Sequence, residues 1–210
     1  MVQFPDGTAI HRKMSKEAFY RHLPLTTAVR NKFVSDIESI YVENSLSNES
    51  LNLETESEIH EILLLRLNLK KPECDDIIME AIARQNPHKL VFLLVYQNQQ
   101  QLAIYYKKLY RTPWEDDATL TAQGFTLDEI WNRLIVQIAL RDERGALPDT
   151  ISIDERLSRQ ERILKLEKQI ARVEAAAWRE KQSKKRFELY QTLQSRRTEL
   201  RSIIKDSQGN

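Results

Sequence analysis

After Pro148 neither glycine nor proline recurs until Gly209, and Ser152 and Glu155 stand at capping-box spacing just past that proline. Nothing else in the chain limits the fold so strongly. A serine that accepts from the third backbone N–H, with a glutamate reaching back, opens a helix, and no residue downstream is forced out of one. At ~1.5 Å per residue, about fifty residues in one piece would reach roughly 75 Å. Ile163, Leu166, Ile170, Val173 and Ala177 recur at spacings of three and four, and Tyr190, Leu193, Arg197, Leu200 and Ile204 do so again.

The two stripes are one residue out of heptad phase, and the segment between them, Arg179 to Arg186, is wholly polar. No turn residue is present there, which favours drift within one continuous helix; the alternative is the tip of an antiparallel helical hairpin. Either form leaves an apolar seam. Ile163, Leu166, Ile170, Val173, Leu193, Leu200 and Ile204 are therefore the expected contacts for a partner helix, from another protein or from a second copy of the chain.

Charge separates this segment from the rest. Asp154 to Asp206 holds 15 Lys or Arg against 9 Asp or Glu, a net +6, so with +1 overall the remainder carries −5. An acidic body with a basic arm suits an anionic partner. Lys184, Lys185 and Arg186 lie among Arg179, Lys181, Trp178, Phe187 and Tyr190, a basic cluster with aromatic neighbours that could sit on the phosphate of a nucleic acid such as DNA. The plain alternative is a solvated face carrying i, i+4 pairs such as Glu161 with Lys165 and Glu180 with Lys184.

Upstream, the pattern is α+β. Thr27 to Ile40 places Val29, Phe33, Ile37 and Ile40 on one helical face, and a shorter helix is expected between a Ser15 cap and Pro24. A strand begins about Ser39 with Ile40, Tyr41 and Val42, and a loop is expected from Asn44 to Ser50. Ile59 to Leu69 is the most apolar strand, with Leu63, Leu65, Leu67 and Leu69 on one side and Ile62, Leu64, Arg66 and Asn68 on the other. It should lie centrally. Asp75 and Asp76 open a helix whose buried stripe is Ile77, Ile78, Ala81 and Ile82, and strands Lys89–Tyr96 and Gln101–Tyr110 flank a polar connection.

A second capping box, with Thr126 as cap, Glu129 reaching back and Phe125 stapling Ile130, starts a helix that should end near Arg141, before a Gly145–Pro148 linker. The expected architecture is a mostly antiparallel sheet with helices packed on one face over residues 1–147. The long charged helical segment, coiled-coil-like, follows over 148–210.

With 41% apolar and 30% charged residues and only 4 glycines, this composition excludes extended disorder outside the termini. One cysteine, Cys74, forbids an internal disulfide and suits a reducing compartment, so a cytoplasmic location is expected. Met1 to Ile10 lacks a signal-peptide core, and no apolar run approaches the ~20 residues that cross a bilayer.

Signals of chemistry are few. The glycines are isolated, so phosphate and dinucleotide loops are excluded, and His11, His22, His60 and His88 are scattered. No cofactor and no metal site is expected. Cys74 at a helix start could be a thiolate, but Asp75 and Asp76 oppose that and a structural role is the expectation. The acidic run Glu54, Glu56, Glu58, Glu61, with Asp75 or Asp76, could hold Mg²⁺ as a metal-dependent nuclease site does. The lysine such sites want two positions after a strand carboxylate is Leu63 after Glu61 and His60 after Glu58. No catalytic motif remains.

Lys16, Phe19 and Tyr20, then Phe33 to Ile40, Leu46 with Leu51-Asn52-Leu53, Glu58-Ile59, Pro87, Lys107, Trp114, Glu180-Lys181-Gln182 and Glu188-Leu189 occur in an order that resembles the bacterial domain of unknown function 4391 family from end to end. Two features depart from that pattern: Met79 follows Ile78 where the resemblance implies aspartate, and Ser183 and Tyr190 stand where it implies Phe and Asn. The resemblance implies no reaction. It implies a neighbourhood of helicase-like proteins and DNA methyltransferases. The expectation is thus a non-catalytic accessory or interaction subunit of a DNA-modification or antiphage-defence type assembly. A metal-dependent nuclease-like enzyme and a homodimeric structural protein are the alternatives.

Overall fold

A computed structural model of the chain describes residues 2–17, 25–54, 57–140 and 151–205. The expected helix after Ser15, the Gly145–Pro148 linker and Glu56 fall wholly or largely outside these residues. The chain divides into two compact units, Met1–Arg141 and Asp142–Asn210.

The first unit is α+β, with a mostly antiparallel sheet. Its main sheet orders β2 (Ala9–Met14), β3 (Ile37–Ser47), β4 (Glu61–Leu69), β5 (Lys89–Tyr96), β6 (Gln99–Tyr106) and β7 (Lys108–Arg111) side by side. Every neighbouring pair is antiparallel except β4 with β5. That parallel pair needs a crossover, and helix α3 (Asp76–Gln85) supplies it, with Asp75 as the cap accepting from Ile77 N–H at 3.1 Å. A separate two-stranded parallel sheet joins β1 (Val2–Gln3) to β8 (Leu120–Thr121).

β4 sits third of six, and its alternation sorts the core as expected. Leu65, Leu67 and Leu69 enter one cluster with Ile40, Val42, Leu90, Phe92 and Leu94, closed by Phe33 of α1 (Thr27–Asp36) and Ile78, Met79 and Ile82 of α3. Each such side chain contributes about 1.5–3 kcal/mol by leaving water. On the other face Ile62, Leu64, Val91, Leu93, Leu102 and Ile104 are also buried, whereas Arg66 and Asn68 are only half-buried. Helix α4 (Leu127–Ala139) runs against β4, β6 and β7, and its Trp131 ring lies 5.9 Å from Lys89 Nζ, a neighbour of Val91 on that second face.

Several boundaries move for physical reasons. Helix α1 stops at Asp36, and Ile37 and Ile40 are buried in β3, because the β-branched and aromatic run that follows fits a pleated surface better than a helix. β3 continues through Asn44 to Ser47, where a loop was expected; Asn44 and Ser45 bond sideways, to Thr8 and Glu61, and Ser47 caps the one-turn helix α2 (Asn48–Leu51). The β5–β6 turn needs only two residues because Gln97 takes a left-handed φ of 52°, and Lys107, at φ 62°, reverses what read as one strand into β6 and β7. At α4 Thr126 caps as expected, but Glu129 takes the N–H of Phe125 at 2.9 Å, and Phe125 is 82% exposed and forms no staple.

In the second unit the chain turns back rather than running on. Helix α5 (Ile153–Arg179), opened by the Ser152–Glu155 capping box, is followed by helix α6 (Ser183–Lys205), and the two pack against each other as an antiparallel hairpin. Glu180 leaves helical backbone with ψ 124°, and its side chain accepts from Gln182 N–H at 2.8 Å. No glycine is required, since extended backbone is open to any residue. The polar stretch between the stripes breaks the helix because it has no apolar contact to gain by continuing, whereas folding back lets the two seams cover each other.

Candidate functional site

The hairpin uses up most of its own seam. Ile163, Leu166 and Leu193 are buried, and Ile170, Val173, Leu200 and Ile204 are half-buried. Arg162 pairs with Glu199 at 2.9 Å, Arg197 with Glu174 at 2.8 Å, and Arg159 donates to the Ile203 carbonyl at 3.1 Å, so charge pairs as well as apolar contact fix the register. The surface expected to receive a partner helix is met by the chain's own second helix.

What stays open is the tip. Trp178 is 79% exposed, Phe187 62% and Tyr190 41%, and Arg179, Lys181, Lys184, Lys185 and Arg186 are exposed around them. Among the described residues these five cations have no carboxylate within 4 Å. Residues 178–190 thus hold five basic side chains against Glu180 and Glu188. On α6, Lys184 precedes Phe187 by three positions and Arg186 precedes Tyr190 by four, so each aromatic ring shares a helix face with a cation.

The four carboxylates weighed as a nuclease site lie apart. Glu61 begins β4, takes the Ser45 hydroxyl and pairs with His88 Nδ1 at 3.1 Å; the backbone N–H of Glu58 donates to Asp128 at 3.0 Å. Asp75 and Asp76 follow the far end of that strand, some nine residues and so about 26 Å along it. Asp75 is held by Lys32, and Asp76 pairs with Arg111 at 2.6 Å. Among the described residues no group of three His, Cys, Asp or Glu is placed to hold a metal ion.

At the Asp75 end Asp36 is buried and receives Lys71 Nζ at 2.7 Å and the Ser35 hydroxyl at 2.6 Å. Burial acts to raise its pKa, but those hydrogen bonds outweigh it and hold the carboxyl below its ordinary value. The hydrogen bond from Lys32, then that from Ile77 N–H, holds Asp75 low as well. Cys74 beside them is buried, and burial pushes its thiol up to about 11, with the Arg111 charge opposing and the neighbouring aspartates assisting. A thiol so placed is held in its neutral, less nucleophilic form.

Sequence reasoning missed a cavity of about 340 Å³ on the second sheet face, floored by Leu64 and Leu93, walled by Val2, Phe4 and Pro5, and edged by Asp6, His11, Glu43, Arg66, Gln100 and Asp117. Two register shifts build it. Ile10 and His11 of β2 together oppose Glu43 of β3, and Glu43 in turn is an extra residue between the Val42–Leu65 and Asn44–Leu64 pairs. Bulges of this kind re-aim side chains, and here Glu43 and Asn44 both line the cavity while His11 takes a left-handed φ of 49°.

Glu43, only 8% exposed, is the centre of the group. Its Oε2 meets His11 Nδ1 at 2.6 Å, and its Oε1 lies 3.1 Å from Arg66 Nε, whose guanidinium stands 4.5 Å over the Tyr41 ring. The Arg66 contact is an ion pair rather than an aligned hydrogen bond, since the buried Nε–H counts as unsatisfied. Thr8, buried, donates to the Pro5 carbonyl at 2.7 Å and accepts from Asn44 at 2.9 Å, which pins the N-terminal segment at the cavity wall.

A mixed-sheet α+β unit carrying a bulge-built pocket, and a basic helical hairpin with an aromatic tip, define the class to which the chain answers. A family model described as "Domain of unknown function (DUF4391)" matches residues 2–200, and the chain belongs to that family. No curated protein and no solved structure matches it. Among the described residues no helix is long and apolar enough to cross a membrane.

Proposed function

We propose that this chain is an accessory, binding subunit of a bacterial DNA-modification or antiphage-defence type assembly, and that the hairpin tip is where it touches nucleic acid. One observation carries the reading: Trp178 and Phe187 lie open to solvent in a turn whose five cations lack acidic partners among the described residues. The hairpin buries Ile163, Leu166 and Leu193 and half-buries Ile170, Val173, Leu200 and Ile204, and it leaves these rings outside that seam. Cations that track a sugar–phosphate backbone, with rings on which unpaired bases stack, form a binding surface for single strands, each stacked base contributing about 1–3 kcal/mol.

Titration of the full chain with a single-stranded DNA oligonucleotide tests it by tryptophan fluorescence, because Trp131 is buried and Trp114 half-buried while Trp178 is exposed. Quenching is expected for the parent chain, and Trp178→Ala together with Phe187→Ala should weaken binding, measured by anisotropy, by at least ~tenfold. Equal affinity of the parent and the double variant would overturn the reading. A second reading, contact with a protein partner or a second copy, is favoured by Leu164 of α5, an exposed aliphatic side chain outside the seam; a Leu164→Glu variant that retains the mass of the parent complex in light scattering would sink it.

A further inference from the structure

The cavity of the first unit is independent of the hairpin, and its hydrogen-bonding inventory is lopsided. Both Glu43 oxygens are engaged, the Gln100 carbonyl oxygen accepts from Ala118 N–H at 3.2 Å, and the Asn44 amide is spent on Thr8. The donors are not. Among the described residues the two terminal nitrogens of Arg66 and the side-chain Nε2 of Gln100 make no hydrogen bond, and the Arg66 Nε–H is buried without one. His11 must carry its proton on Nδ1, since a carboxylate only accepts, which leaves Nε2 to accept from a ligand hydroxyl in the neutral ring or donate to an oxyanion in the charged one.

A planar guanidinium fork held flat on Tyr41, with Glu43 fixing its orientation, is preorganised for two parallel bonds to an oxyanion, and phosphate geometry matches it. Glu43 neutralises Arg66 without using the fork's outer nitrogens, so the anion would find a set of oriented donors. The rest of the cavity asks for a flat apolar body. Leu64, Leu93 and Val2 with the Phe4 ring surround it, and Asp6 at the edge offers an acceptor for ligand N–H or O–H groups. A volume of about 340 Å³ is at the small end of ligand sites, which run at ~300–1,000 Å³.

We infer that this cavity binds a phosphorylated nucleoside, with Arg66, Gln100 and His11 on the phosphate and the Val2–Phe4 wall against the base. The phosphate-bearing nucleoside is the shared chemistry of a free mononucleotide and of the 5′ end of a strand. Three carboxylates line the cavity; Glu43 is paired with Arg66, and the other two, Asp6 and Asp117, set a limit: a bare polyanion such as a triphosphate is disfavoured, and a single phosphate is the most the donor set matches.

Calorimetric titration of the full chain with the four nucleoside 5′-monophosphates tests this, with the matching nucleosides, inorganic phosphate and a 5′-phosphorylated trinucleotide as further probes. At least one monophosphate should bind, at least ~tenfold tighter than its nucleoside and than inorganic phosphate, since each fragment lacks one half of the contacts. Arg66→Gln should lower that affinity at least ~tenfold. Because that change leaves Glu43 buried without its cation and could unfold the unit, Glu43→Gln with Arg66→Gln removes both charges at once, and His11→Gln leaves the pair intact; both variants should stay folded and lose affinity. With the tip cations Lys184, Lys185 and Arg186 changed to Gln, a trinucleotide that binds at least as tightly as the monophosphate assigns the ligand to a strand end, and a weaker one assigns it to free nucleotide.

Lys184→Gln with Lys185→Gln and Arg186→Gln should leave mononucleotide binding unchanged, which separates this pocket from the tip. Absence of saturable heat with every monophosphate up to ~1 mM, or folded Arg66 variants that bind like the parent, overturns the assignment.

Discussion

Neutralising three of the tip cations should weaken DNA binding at low salt and flatten its salt dependence. Lys184, Lys185 and Arg186 are exposed on the first turn of α6, so Lys184→Gln, Lys185→Gln and Arg186→Gln remove charge without removing a packed side chain, and glutamine is nearly as good a helix former as lysine. Each phosphate contact on a single strand adds roughly −0.7 to the slope of log affinity against log salt. With all five tip cations engaged the slope is about −3.5, and affinity falls roughly 130-fold between 50 and 200 mM salt; with two left it is about −1.4, a fall of roughly sevenfold. Anisotropy of a labelled single strand at four salt concentrations measures both slopes, and circular dichroism confirms that the hairpin persists. Slopes that agree within error for the parent and the triple variant would show that these cations do not meet phosphate, and the tip reading would fail even if DNA were bound elsewhere.

Stability and reactivity supply further checks. Asp36 has its pKa lowered in the folded chain, so the unfolded state binds the extra proton: its contribution is fully present above the ordinary value of 3.8 and is lost as pH falls through the lower folded value. Asp36→Asn should thus cost about 2–3 kcal/mol at pH 7, from weakened hydrogen bonds to charged and hydroxyl partners, and markedly less at pH 3; denaturant melts that show the same deficit at both values would refute the assignment. Cys74, with its thiol raised from 9.0 to about 11, should react with iodoacetamide roughly a hundredfold more slowly at pH 8 than an unperturbed thiol, and rapid alkylation of the folded chain would contradict its burial. Gly124 has φ +152°, and a Cβ there would stand 3.0 Å from Glu129 Cβ, Ile130 Cγ1 and Ile130 N, so Gly124→Ala should destabilise the chain by about 1–3 kcal/mol in urea melts. Leu67→Ala, at a fully buried position of the central strand, should cost about 2–5 kcal/mol; a change under 1 kcal/mol would mean that the β4 face is not packed as described.

Periodicity made much of the framework readable. β4 declared its two faces through Leu63 to Leu69 against Ile62 to Asn68, and the helix starts at Asp75, Thr126 and Ser152 were visible because caps are local, three-residue devices. The hairpin turn was legible only in part. Its signal is the absence of apolar residues from Arg179 to Arg186 and the phase slip between stripes, with no glycine or proline to mark the turn. Backbone at Glu180 is extended rather than left-handed, so any residue serves, and the cause of the reversal is the gain from mutual burial of two seams, which no single position encodes.

The pocket fell beyond reach for a sharper reason. A strand read at period two assigns Glu43 and Asn44 to opposite faces, and it assigns His11 no partner at all. The extra residue at Glu43 resets that count in the middle of β3: Val42 still joins the core with Leu65, yet Asn44 pairs with Leu64 on the other side. On the other side the extra residue belongs to β2, whose Ile10 and His11 together face Glu43, so both pairings of β3 slip at one place and a carboxylate is turned inward between an imidazole and a guanidinium. A buried charge is tolerated there only because both partners reach it, and the left-handed φ of His11 is the backbone cost of bringing one of them. Deleting Glu43 would restore regular pairing with β4 but leave Ile10 and His11 of β2 with no residue opposite them. A further shift lies between Ile37 and Ser39, away from the cavity, but only at Glu43 do the pairings with both neighbouring strands slip together, and there the cavity opens, which argues that the strain at this place is held for what the cavity binds.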